Sequence, residues 1–430
     1  MTSLSSQPYK GTRDYYPEDK RVQNYIFEVW KKVVESFGYE EYGAPILESL
    51  EIYAAKSGQE LVNEQTYTFT DRGGRIVAIR PEMTPTISRM IAARRQEMAY
   101  PARLFSIANF MRYERPQRGR EREFWQLNVD IFGVDAISAD IEIITIANAI
   151  LKEFGAKSGE YVIRVNNRKF IHYMMAEYLG LDSVGATQMT KLFDRRSKIT
   201  EQDFDEQALV ILGESQADDI VKIKQVIDAK NIDSLPKELQ HISALDEIRA
   251  VFDGLRAGGV DDAIFDATLM RGLDYYTGTV FEAFDTHPDN NRSLFGGGRY
   301  DGLVGLFGAE PLSAVGMAPG NTMMENFLEV HGLLPDNISN TDVYIVVIGD
   351  AQDDARRVAF QLRQAGINVE VDITDRKLDK QIKTAVKKNI PYLLFVGVQD
   401  AKRGEYSLKN VSDETEETLS PEQIIEKLQP

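Results

Sequence analysis

One extended stretch of the sequence carries five arginines within eleven positions. They are Arg112, Arg115, Arg118, Arg120 and Arg122. Runs of mixed charge are usually solvated faces, so the run alone favours a surface loop. However, Arg112 and Glu114 share one face of an extended chain, as do Gln126, Asn128 and Asp130 on the returning segment. A fixed guanidinium beside such a polar row is suited to gripping a phosphate through two donors.

Three further clusters combine polar side chains with turn-forming residues. They are RPEMTP at 80–85, LMRGLDYYTGTVFE at 269–282 and FGGGRYDG at 295–302. Each has an ordinary structural explanation: a proline-flanked link in which Thr84 caps a helix, a pair of core tyrosines beside a turn, and a close approach of backbones. The third cluster also lacks the Lys-Ser/Thr pair of a phosphate-binding P-loop. None of the three identifies a function by itself.

The amino-acid composition excludes several functional classes for the protein that contains these clusters. Acidic residues outnumber basic ones by 67 to 50, and the formal charge of −17 argues against a protein that coats nucleic acid through bulk electrostatics. Any contact with RNA must then be local. The chain has no cysteine and only four dispersed histidines, so we predict no zinc, no disulfide and no metal held by the protein alone.

Length and polarity predict a globular protein of two to four domains. The chain has 430 residues, of which 43% are hydrophobic. Its first residues are polar, and no apolar run approaches the length of a membrane span. Because the absence of cysteine also fits a reducing compartment, we expect a soluble cytoplasmic protein with no membrane contact.

The elements that must position the clusters have the pattern of an α+β fold. Apolar residues recur at helical spacing across 22–37, between Pro17 and Gly38. Four strand-like segments follow, in two pairs that flank a turn or the arginine-rich loop: 66–70, 75–79, 103–113 and 123–132. Strands joined by hairpins, with helices between them, predict an antiparallel sheet and not a doubly wound parallel one.

Later changes of pattern divide the chain into domains. A helical region with acidic outer faces gives way to strand-like sequence at 279–284, and LLPDNISNT has the composition of a linker. Beyond it, strands and helices alternate, which predicts a small α/β domain with a mostly parallel sheet. The predicted domains are 1–166 with 258–332, a helical insertion at 167–257, the linker at 333–341 and a C-terminal domain at 342–430.

In this order, the clusters resemble the motifs of histidyl-tRNA synthetases, which are class II aminoacyl-tRNA synthetases. The stretch around Arg112 is similar to the second class II motif, and FGYEEYGAPILE, with its proline at Pro45, to the first. RGLDYYTGTVFE and GGRYDGL are similar to two sequences peculiar to this family, and KGTRDYYP at 10–17 also matches it. The resemblance covers nearly the whole chain. It implies a class II antiparallel catalytic domain with a helical insertion, followed by an α/β anticodon-binding domain.

The resemblance also implies an ATP-dependent ligase that joins L-histidine to tRNA(His). Histidine and ATP would form histidyl-adenylate and pyrophosphate with Mg²⁺, and the histidyl group would then pass to the terminal adenosine of the tRNA. A homodimer formed through the first motif is implied as well. Since a carboxylate attacks the α-phosphorus without covalent help, catalysis consists of neutralising two anions and holding them in line.

By resemblance, arginines would hold the reacting groups. Arg112 would bind the α-phosphate, Glu114 the adenine amino group and Phe124 the adenine face. Arg271 would bridge the histidine carboxylate and the α-phosphate. Arg112 and Arg271 are therefore the predicted catalytic residues.

The resemblance predicts a histidine site as well. Its residues are Glu82, Thr84, Gln126, Asp130, Tyr275, Tyr276 and Tyr300. The first three would hold the α-ammonium group, Asp130 and Tyr276 the imidazole, and Tyr300 would close the pocket. The family often has a glutamate in place of Asp130, which is shorter by one methylene, and a water molecule could bridge the gap.

Two regions are predicted to touch tRNA. In the arginine-rich loop, Arg115 and Gln117 match residues that the family uses at the acceptor end. In the C-terminal domain, basic residues recur three and four positions apart on one side of a helix, namely Arg376, Lys380, Lys383 and Lys387. Without the resemblance, a solvated helix face would explain this second set equally well.

The clearest departure from the family is AVGMAPGNTMME at 314–325. It occupies the place of the third class II motif, where most synthetases have an arginine for the γ-phosphate, and Asn321 and Thr322 stand there instead. We hypothesise that Arg120 first, and Arg118 second, hold the β- and γ-phosphates with Mg²⁺. The alternative is a catalytically inactive paralogue with a regulatory or tRNA-sensing role.

Overall fold

Two units make up the chain in the computed structural model, residues 1–334 and residues 335–430. The structure describes residues 4–54, 61–196, 199–213, 218–270, 275–290, 292–336, 339–374 and 376–429. Arg271, one of the two predicted catalytic residues, lies outside these ranges.

The first unit contains both helices and strands, with a run of helices between β7 and β8. Its described helices are α1 (Pro17–Ser36), α2 (Leu50–Ala54), α3 (Thr84–Ala93), α4 (Ser138–Glu153), α5 (Arg168–Tyr173), α6 (Ser183–Arg195), α7 (Glu201–Leu212), α8 (Ile220–Ile227), α9 (Ser243–Ala257) and α10 (Asn321–Val330). Its described strands are β1 (Glu40–Glu41), β2 (Leu47–Ser49), β3 (Thr68–Thr70), β4 (Ile76–Ile79), β5 (Ala102–Met111), β6 (Glu123–Phe132), β7 (Tyr161–Asn167), β8 (Ala263–Phe265), β9 (Thr279–Asp285), β10 (Ser293–Arg299) and β11 (Ala314–Met317).

A large sheet forms the frame of the first unit, with the strand order β1-β5-β6-β11-β10-β9-β7-β8. Its inner pairings are antiparallel, and only the two edge pairings, β1 with β5 and β7 with β8, are parallel. The predicted antiparallel α+β sheet is therefore confirmed. β5 and β6 pair along ten residues each, so the arginine-rich loop lies at the end of a long hairpin.

The two faces of this sheet have different neighbours, and β6 illustrates why. Its odd-numbered residues Leu127, Val129 and Ile131 belong to a core built with helices α1, α4 and α10, around Trp30 and Ile143. Since side chains alternate along a strand, the even-numbered residues project from the opposite face. The amphipathic pattern of β6 thus reserves one sheet face for the core and leaves the other for polar side chains.

The predicted helical insertion consists of helices with a core of their own. Phe170 of α5, Phe193 of α6 and Phe204 of α7 pack in this core. Helix α9 contributes Ile248 to it and Leu255 to the core of the large sheet. Packing on both sides therefore ties the insertion to the sheet through α9.

A small sheet with the order β2-β4-β3 accompanies the large one. β3 and β4 are antiparallel and flank the turn at 71–74, as the sequence predicted. In that turn, Asp71 accepts hydrogen bonds from the backbone N–H groups of Gly73 and Arg75, which explains why the chain reverses there.

The second unit is a small α/β domain. Its described elements are β12 (Val343–Ile348), α11 (Gln352–Gln364), β13 (Val369–Val371), α12 (Leu378–Lys387), β14 (Tyr392–Gly397), α13 (Val398–Arg403), β15 (Tyr406–Asn410), β16 (Glu416–Leu419) and α14 (Pro421–Leu428). The strand order is β13-β12-β14-β15-β16, and the first three strands are parallel. β15 and β16 add an antiparallel hairpin, so the expectation of a mostly parallel sheet was wrong for half of the pairings. The reason is that β16 is polar and exposed, and it carries no apolar run.

No helix within the described ranges combines the length and the apolar composition that a bilayer span requires.

Candidate active site

A cavity of about 540 Å³ opens on the polar face of the large sheet. Eleven residues predicted to bind histidine or ATP line it: Glu82, Thr84, Arg112, Glu114, Arg120, Phe124, Gln126, Asp130, Tyr275, Tyr276 and Tyr300. They come from segments more than two hundred positions apart in the sequence. The fold thus brings together every described residue that we predicted for these two small substrates except Arg118.

Strand β6 supplies the floor of the cavity through its even-numbered residues. Phe124, Gln126, Asn128 and Asp130 all line the wall. At about 3.3 Å per residue, this row extends over roughly 20 Å, enough for an amino acid and a nucleotide end to end. Phe124 and Gln126 are half-buried, whereas Asn128 and Asp130 are buried. The cavity therefore has an open end at Phe124 and a deep end at Asp130.

A carboxylate and a phenol meet at the deep end. The hydroxyl of Tyr300 donates a short hydrogen bond to Oδ1 of Asp130. Burial raises the pKa of Asp130 to about 7, although the Tyr300 hydrogen bond acts in the opposite direction. Gly316 of β11 lies against this pair, and a Cβ there would overlap Oδ1 of Asp130. Close approach of β11 to β6 therefore requires glycine at this position.

Two further tyrosines and a buried glutamate complete the deep end. Tyr275 donates a hydrogen bond to Oε2 of Glu82 at 3.3 Å. Its ring centroid lies 4.9 Å from that of Tyr276 and 5.8 Å from that of Tyr300. The three rings and two carboxylates form a compact pocket that can offer hydrogen bonds and aromatic contacts to a small polar ring.

Arg112 is held in place at the open end. Its Nε donates to the carbonyl of Pro81 at 2.9 Å, and its guanidinium carbon lies 5.3 Å from the ring centroid of Phe124. The hydrogen bond to Pro81 uses one of the five N–H donors of the guanidinium. Arg112 is thus oriented by the protein and retains donors for an anionic ligand.

The two arginines suggested as phosphate ligands occupy different places. Arg120 lines the cavity and forms an ion pair with Glu114, with 3.0 Å between Nε and Oε2. Arg118 lies on the outer side of the loop, where it pairs with Glu329 at 3.5 Å and does not contribute to the described cavity wall. Of the two, only Arg120 is placed to meet a ligand in the cavity.

The altered third motif has a structural explanation. The side chain of Asn321 is buried: its Oδ1 accepts from the backbone N–H of Trp125 at 2.8 Å, and its Nδ2 donates to the hydroxyl of Tyr15 at 3.1 Å. Thr322, in contrast, lines the cavity. Asn321 therefore joins α10 to β6, and it does not substitute for a phosphate-binding arginine.

Carboxylates dominate the charge of the cavity wall. The described wall contains the guanidinium groups of Arg112 and Arg120. Its carboxylates are those of Glu82, Glu114, Glu121, Asp130, Asp194 and Glu282. The described part of the wall therefore carries more carboxylates than guanidinium groups, which favours an anionic ligand that enters together with a cation.

The residues predicted to touch tRNA lie outside this cavity. Gln117 lines a neighbouring cleft of about 1290 Å³ between the insertion and the large sheet, and Arg115 is exposed on the loop. In the second unit, Lys380 and Lys383 are exposed on α12. The prediction that Arg376 lies on the same helix face was wrong, because α12 begins at Leu378 and the guanidinium of Arg376 turns back to Asp372 at 3.2 Å.

The cavity wall includes residues that were absent from our predicted sites, among them Asn128, Glu121, Asp194 and Glu282. Asn128 could have been added, because it shares the strand face of Gln126 and Asp130. Glu282 ends the family-specific RGLDYYTGTVFE, and Glu121 lies within the arginine-rich loop, so motif membership was their only signal. Asp194 comes from α6 of the insertion, and nothing in its local sequence indicated that the helix reaches this wall.

Comparison with known proteins agrees with this architecture. The family "Histidyl-tRNA synthetase" matches residues 11–320, and "Anticodon binding domain" matches residues 342–430. The histidine–tRNA ligase of Leptospira biflexa is 41% identical over 99% of this chain and 98% of its own length. That of Haloarcula marismortui is 38% identical over 94% and 93%, respectively.

Among solved structures, histidyl-tRNA synthetase from Nostoc sp. PCC 7120 superposes with a TM-score of 0.83. It is 25% identical, and the match covers 99% of this chain and 100% of that one. The fold class predicted from the sequence, with its C-terminal anticodon-binding domain, is thereby confirmed. From the family match and the full-length relatives together, we conclude that this chain belongs to the histidyl-tRNA synthetase family.

Proposed function

We propose that this chain joins L-histidine to tRNA(His) at the expense of ATP, by way of a histidyl-adenylate. The observation that carries the proposal is the polar row of β6, with a paired carboxylate and phenol at its deep end and a fixed arginine at its open end. This arrangement suits two ligands that must react end to end. We place the amino acid at the deep end, where its side chain would be selected.

Selectivity for histidine follows from the groups at the deep end. Asp130 can accept a hydrogen bond from an imidazole N–H, and Tyr300, bonded to the same carboxylate, adds a hydroxyl beside it. The imidazole would meet this carboxylate directly or through a bridging water. Glu82, Thr84 and Gln126, which line the same wall, would hold the α-ammonium group. A site built to hydrogen-bond a ring nitrogen rejects apolar analogues strongly, because its buried polar groups would remain unpaired.

Activation of histidine requires that two anions approach each other. The carboxylate oxygen of histidine attacks the α-phosphorus, a new O–P bond forms, and the bond to pyrophosphate breaks. Arg112 would neutralise the α-phosphate, with Phe124 and Glu114 at the adenine. Arg271 would bridge both anions, as the resemblance implies. Loss of one such donor reduces transition-state stabilisation by about 3 to 4 kcal/mol.

The charge of the cavity supports a role for Mg²⁺ with ATP. In the described part of the wall, six carboxylates accompany two guanidinium groups, so a cation bound with the polyphosphate would favour its entry. With ATP, such an ion is held mainly by phosphate oxygens and water, with one or two carboxylates of the protein. Glu282 and Glu121 are the candidates for those carboxylates. When bound, Mg²⁺ would neutralise the β- and γ-phosphates together with Arg120.

We assign tRNA binding to both units. The exposed lysines of α12, Lys380 and Lys383, offer charge to an RNA backbone in a domain whose sequence matches an anticodon-binding family. Arg376 would act beside them once it is released from Asp372. Arg115 and Gln117 would meet the acceptor end, since their loop also carries residues of the adenylation cavity.

We also propose a homodimer formed through the small sheet. The strand register places Leu47, Phe69, Val77 and Ile79 on one face of that sheet. Leu47 is 44% exposed and Phe69 is 47% exposed. An apolar sheet face of this kind is typical of a subunit contact, and a second copy of the chain is the occupant that we propose. A monomer in sedimentation velocity at micromolar concentration would contradict it.

The predicted domain boundaries and location form part of the same proposal. We retain a catalytic domain at 1–166 and 258–332, the insertion at 167–257 and the anticodon-binding domain at 342–430, and we place the enzyme in the cytoplasm. Limited proteolysis should cut first within the linker at 333–341. Early cuts elsewhere, or recovery of the native protein from a membrane or organelle fraction, would count against these assignments.

Histidine-dependent exchange between ATP and pyrophosphate tests the proposed function. The purified chain should catalyse exchange with histidine and with no other of the twenty amino acids, and it should then charge tRNA(His). Binding of ATP without exchange would favour the inactive regulatory paralogue. Exchange with a different amino acid would show that the deep end was misassigned.

A further inference from the structure

Residues 9–15 lie beside the adenylation cavity without lining its described wall. The odd-numbered members of this segment, Tyr9, Gly11, Arg13 and Tyr15, all contact elements that do line it. We call residues 9–15 the N-terminal strap. Their contacts fall into two groups, one at the arginine-rich loop and the other at α10.

The first contact is with Arg122, which closes the base of the arginine-rich loop. The backbone N–H of Arg122 donates to the carbonyl of Gly11 at 2.7 Å, and Nη1 donates to the carbonyl of Lys10 at 3.1 Å and to the hydroxyl of Tyr9 at 3.2 Å. Arg122 in turn accepts from the N–H of Arg112 at its own carbonyl and donates through Nε to the carbonyl of Glu114. Arg122 is buried, and most of its hydrogen bonds are to backbone groups. It therefore links the strap to Arg112 and Glu114, which we place at the phosphate and the adenine.

The second contact is with the first turns of α10. Arg13 forms two hydrogen bonds with the carboxylate of Glu325, at 3.0 and 3.1 Å. The hydroxyl of Tyr15 accepts from Asn321, whose Oδ1 holds the backbone of Trp125 next to Phe124 on β6. The strap therefore grips α10 at two points one turn apart, where Thr322 lines the cavity.

We propose that the strap is a positioning device for the nucleotide end of the cavity. It fixes the arginine-rich loop and α10 relative to each other, so that Arg112, Arg120 and Thr322 face the same ligand. The assignment of that ligand as ATP rests on the proposed function, whereas the mechanical role does not. None of the strap contacts described above involves Asp130, Tyr300 or Glu82, so the strap acts on the nucleotide and not on histidine.

Gly11→Ala tests the strap directly. Gly11 has φ +88°, and a Cβ there would lie 2.8 Å from Cδ of Arg122 and 2.8 Å from Cγ of Pro116. Gly38→Ala is the matched control, since Gly38 has φ +79° with nothing within 4 Å of the added Cβ. Both variants carry the same backbone strain, and only Gly11→Ala pushes on the loop. Displacement of catalytic groups by about 1 Å is enough to lower activity on the order of 100-fold.

Two measurements separate the strap from the proposed function. Trypsin cleavage after Arg118 and Arg120 reports opening of the loop whether or not ATP is a substrate, and we expect it to be at least tenfold faster in Gly11→Ala than in wild type or Gly38→Ala. In histidine-dependent exchange, kcat/KM for ATP should fall at least tenfold while the KM for histidine stays within twofold. Tyr15→Phe, which removes one hydroxyl, should shift both readouts in the same direction by a few fold and serves if Gly11→Ala does not fold.

Each outcome decides the proposal. Equal cleavage rates in Gly11→Ala and Gly38→Ala would overturn the mechanical role. Faster cleavage with unchanged kcat/KM for ATP would overturn the positioning role. A wild-type protein without exchange would reject the proposed function alone, and the cleavage comparison would still decide whether the strap holds the loop.

Discussion

Replacing Asp130 with asparagine should stabilise the ligand-free protein above neutral pH while weakening histidine binding. Asp130 is buried, and burial raises the pKa of its carboxyl from 3.8 to about 7 against the effect of the Tyr300 hydrogen bond. Between these two values, the folded protein binds a proton that the unfolded chain has released. The contribution of Asp130 to stability is therefore full below about pH 4, falls as pH rises towards 7, and is lost above it.

The magnitude follows from the distance between the two pKa values. They differ by roughly 3 pH units, and each unit corresponds to about 1.4 kcal/mol of differential stabilisation. The ionised carboxylate thus destabilises the folded protein by up to about 4 kcal/mol at pH 8. Asparagine keeps the shape of the side chain and an oxygen for the hydroxyl of Tyr300, but it carries no charge. The difference in free energy of unfolding between Asp130→Asn and wild type should narrow to below about 2 kcal/mol at pH 5.

Urea unfolding at pH 5, 6, 7 and 8 measures this difference. Both tryptophans of the chain, Trp30 and Trp125, belong to the first unit, so their fluorescence reports on the unit that contains Asp130. Asp261→Asn, at an exposed position of the same unit, is the matched control and should follow wild type at every pH. In the exchange assay, Asp130→Asn should raise the KM for histidine by roughly 10- to 100-fold, the equivalent of one hydrogen bond to a charged group.

The reasoning would be refuted by either of two results. One is an Asp130→Asn protein no more stable than wild type at pH 8. The other is an advantage of equal size at pH 5 and pH 8, since a difference without pH dependence cannot arise from ionisation of a buried carboxyl.

Three other variants test a buried ion pair of the first unit, the cavity and the second unit. Arg299 forms a buried ion pair with Asp140, whose Oδ2 lies 3.2 Å from Nε of Arg299. Arg299→Ala should therefore lower the free energy of unfolding by about 3 to 5 kcal/mol in a urea titration. A loss below about 1 kcal/mol would contradict a buried pair. Arg120→Ala removes the cation paired with the adenine-site glutamate and should raise the KM for ATP about tenfold without changing the KM for histidine, and an unchanged KM for ATP would end its phosphate role. Lys380→Glu combined with Lys383→Glu should slow tRNA charging at least tenfold and leave pyrophosphate exchange within twofold, whereas parallel losses in both assays would point to a folding defect.

Local pattern was enough to predict the frame of the site. The alternation of polar and apolar residues in β6 determines which side chains share a face, because successive side chains of a strand point in opposite directions. The hairpin at 71–74 and the end of α1 before Gly38 were predictable for the same reason, since turn residues act on their immediate neighbours. The antiparallel hairpin of β15 and β16 escaped prediction because β16 is polar and exposed and carries no apolar pattern.

Tertiary structure alone decided which side chains meet. Tyr300 and Asp130 are 170 positions apart, and their hydrogen bond depends on the close approach of strands that only packing brings together. Asn321, in the place of the missing arginine, could be interpreted as a lost cation from its position in the motif. Its buried bonds to Tyr15 and to the backbone of Trp125 show a structural role instead.

The arginine-rich loop shows the same difference between what the sequence predicts and what only the fold decides, within a few residues. From the sequence, Arg118 and Arg120 were both candidates for the phosphates, and the fold turns one outward to Glu329 and the other into the cavity beside Glu114. Spacing along the chain specifies a face and a direction, since these follow from backbone geometry within one element. The partner of a side chain depends on how distant elements pack, and for that reason only the folded protein determines it.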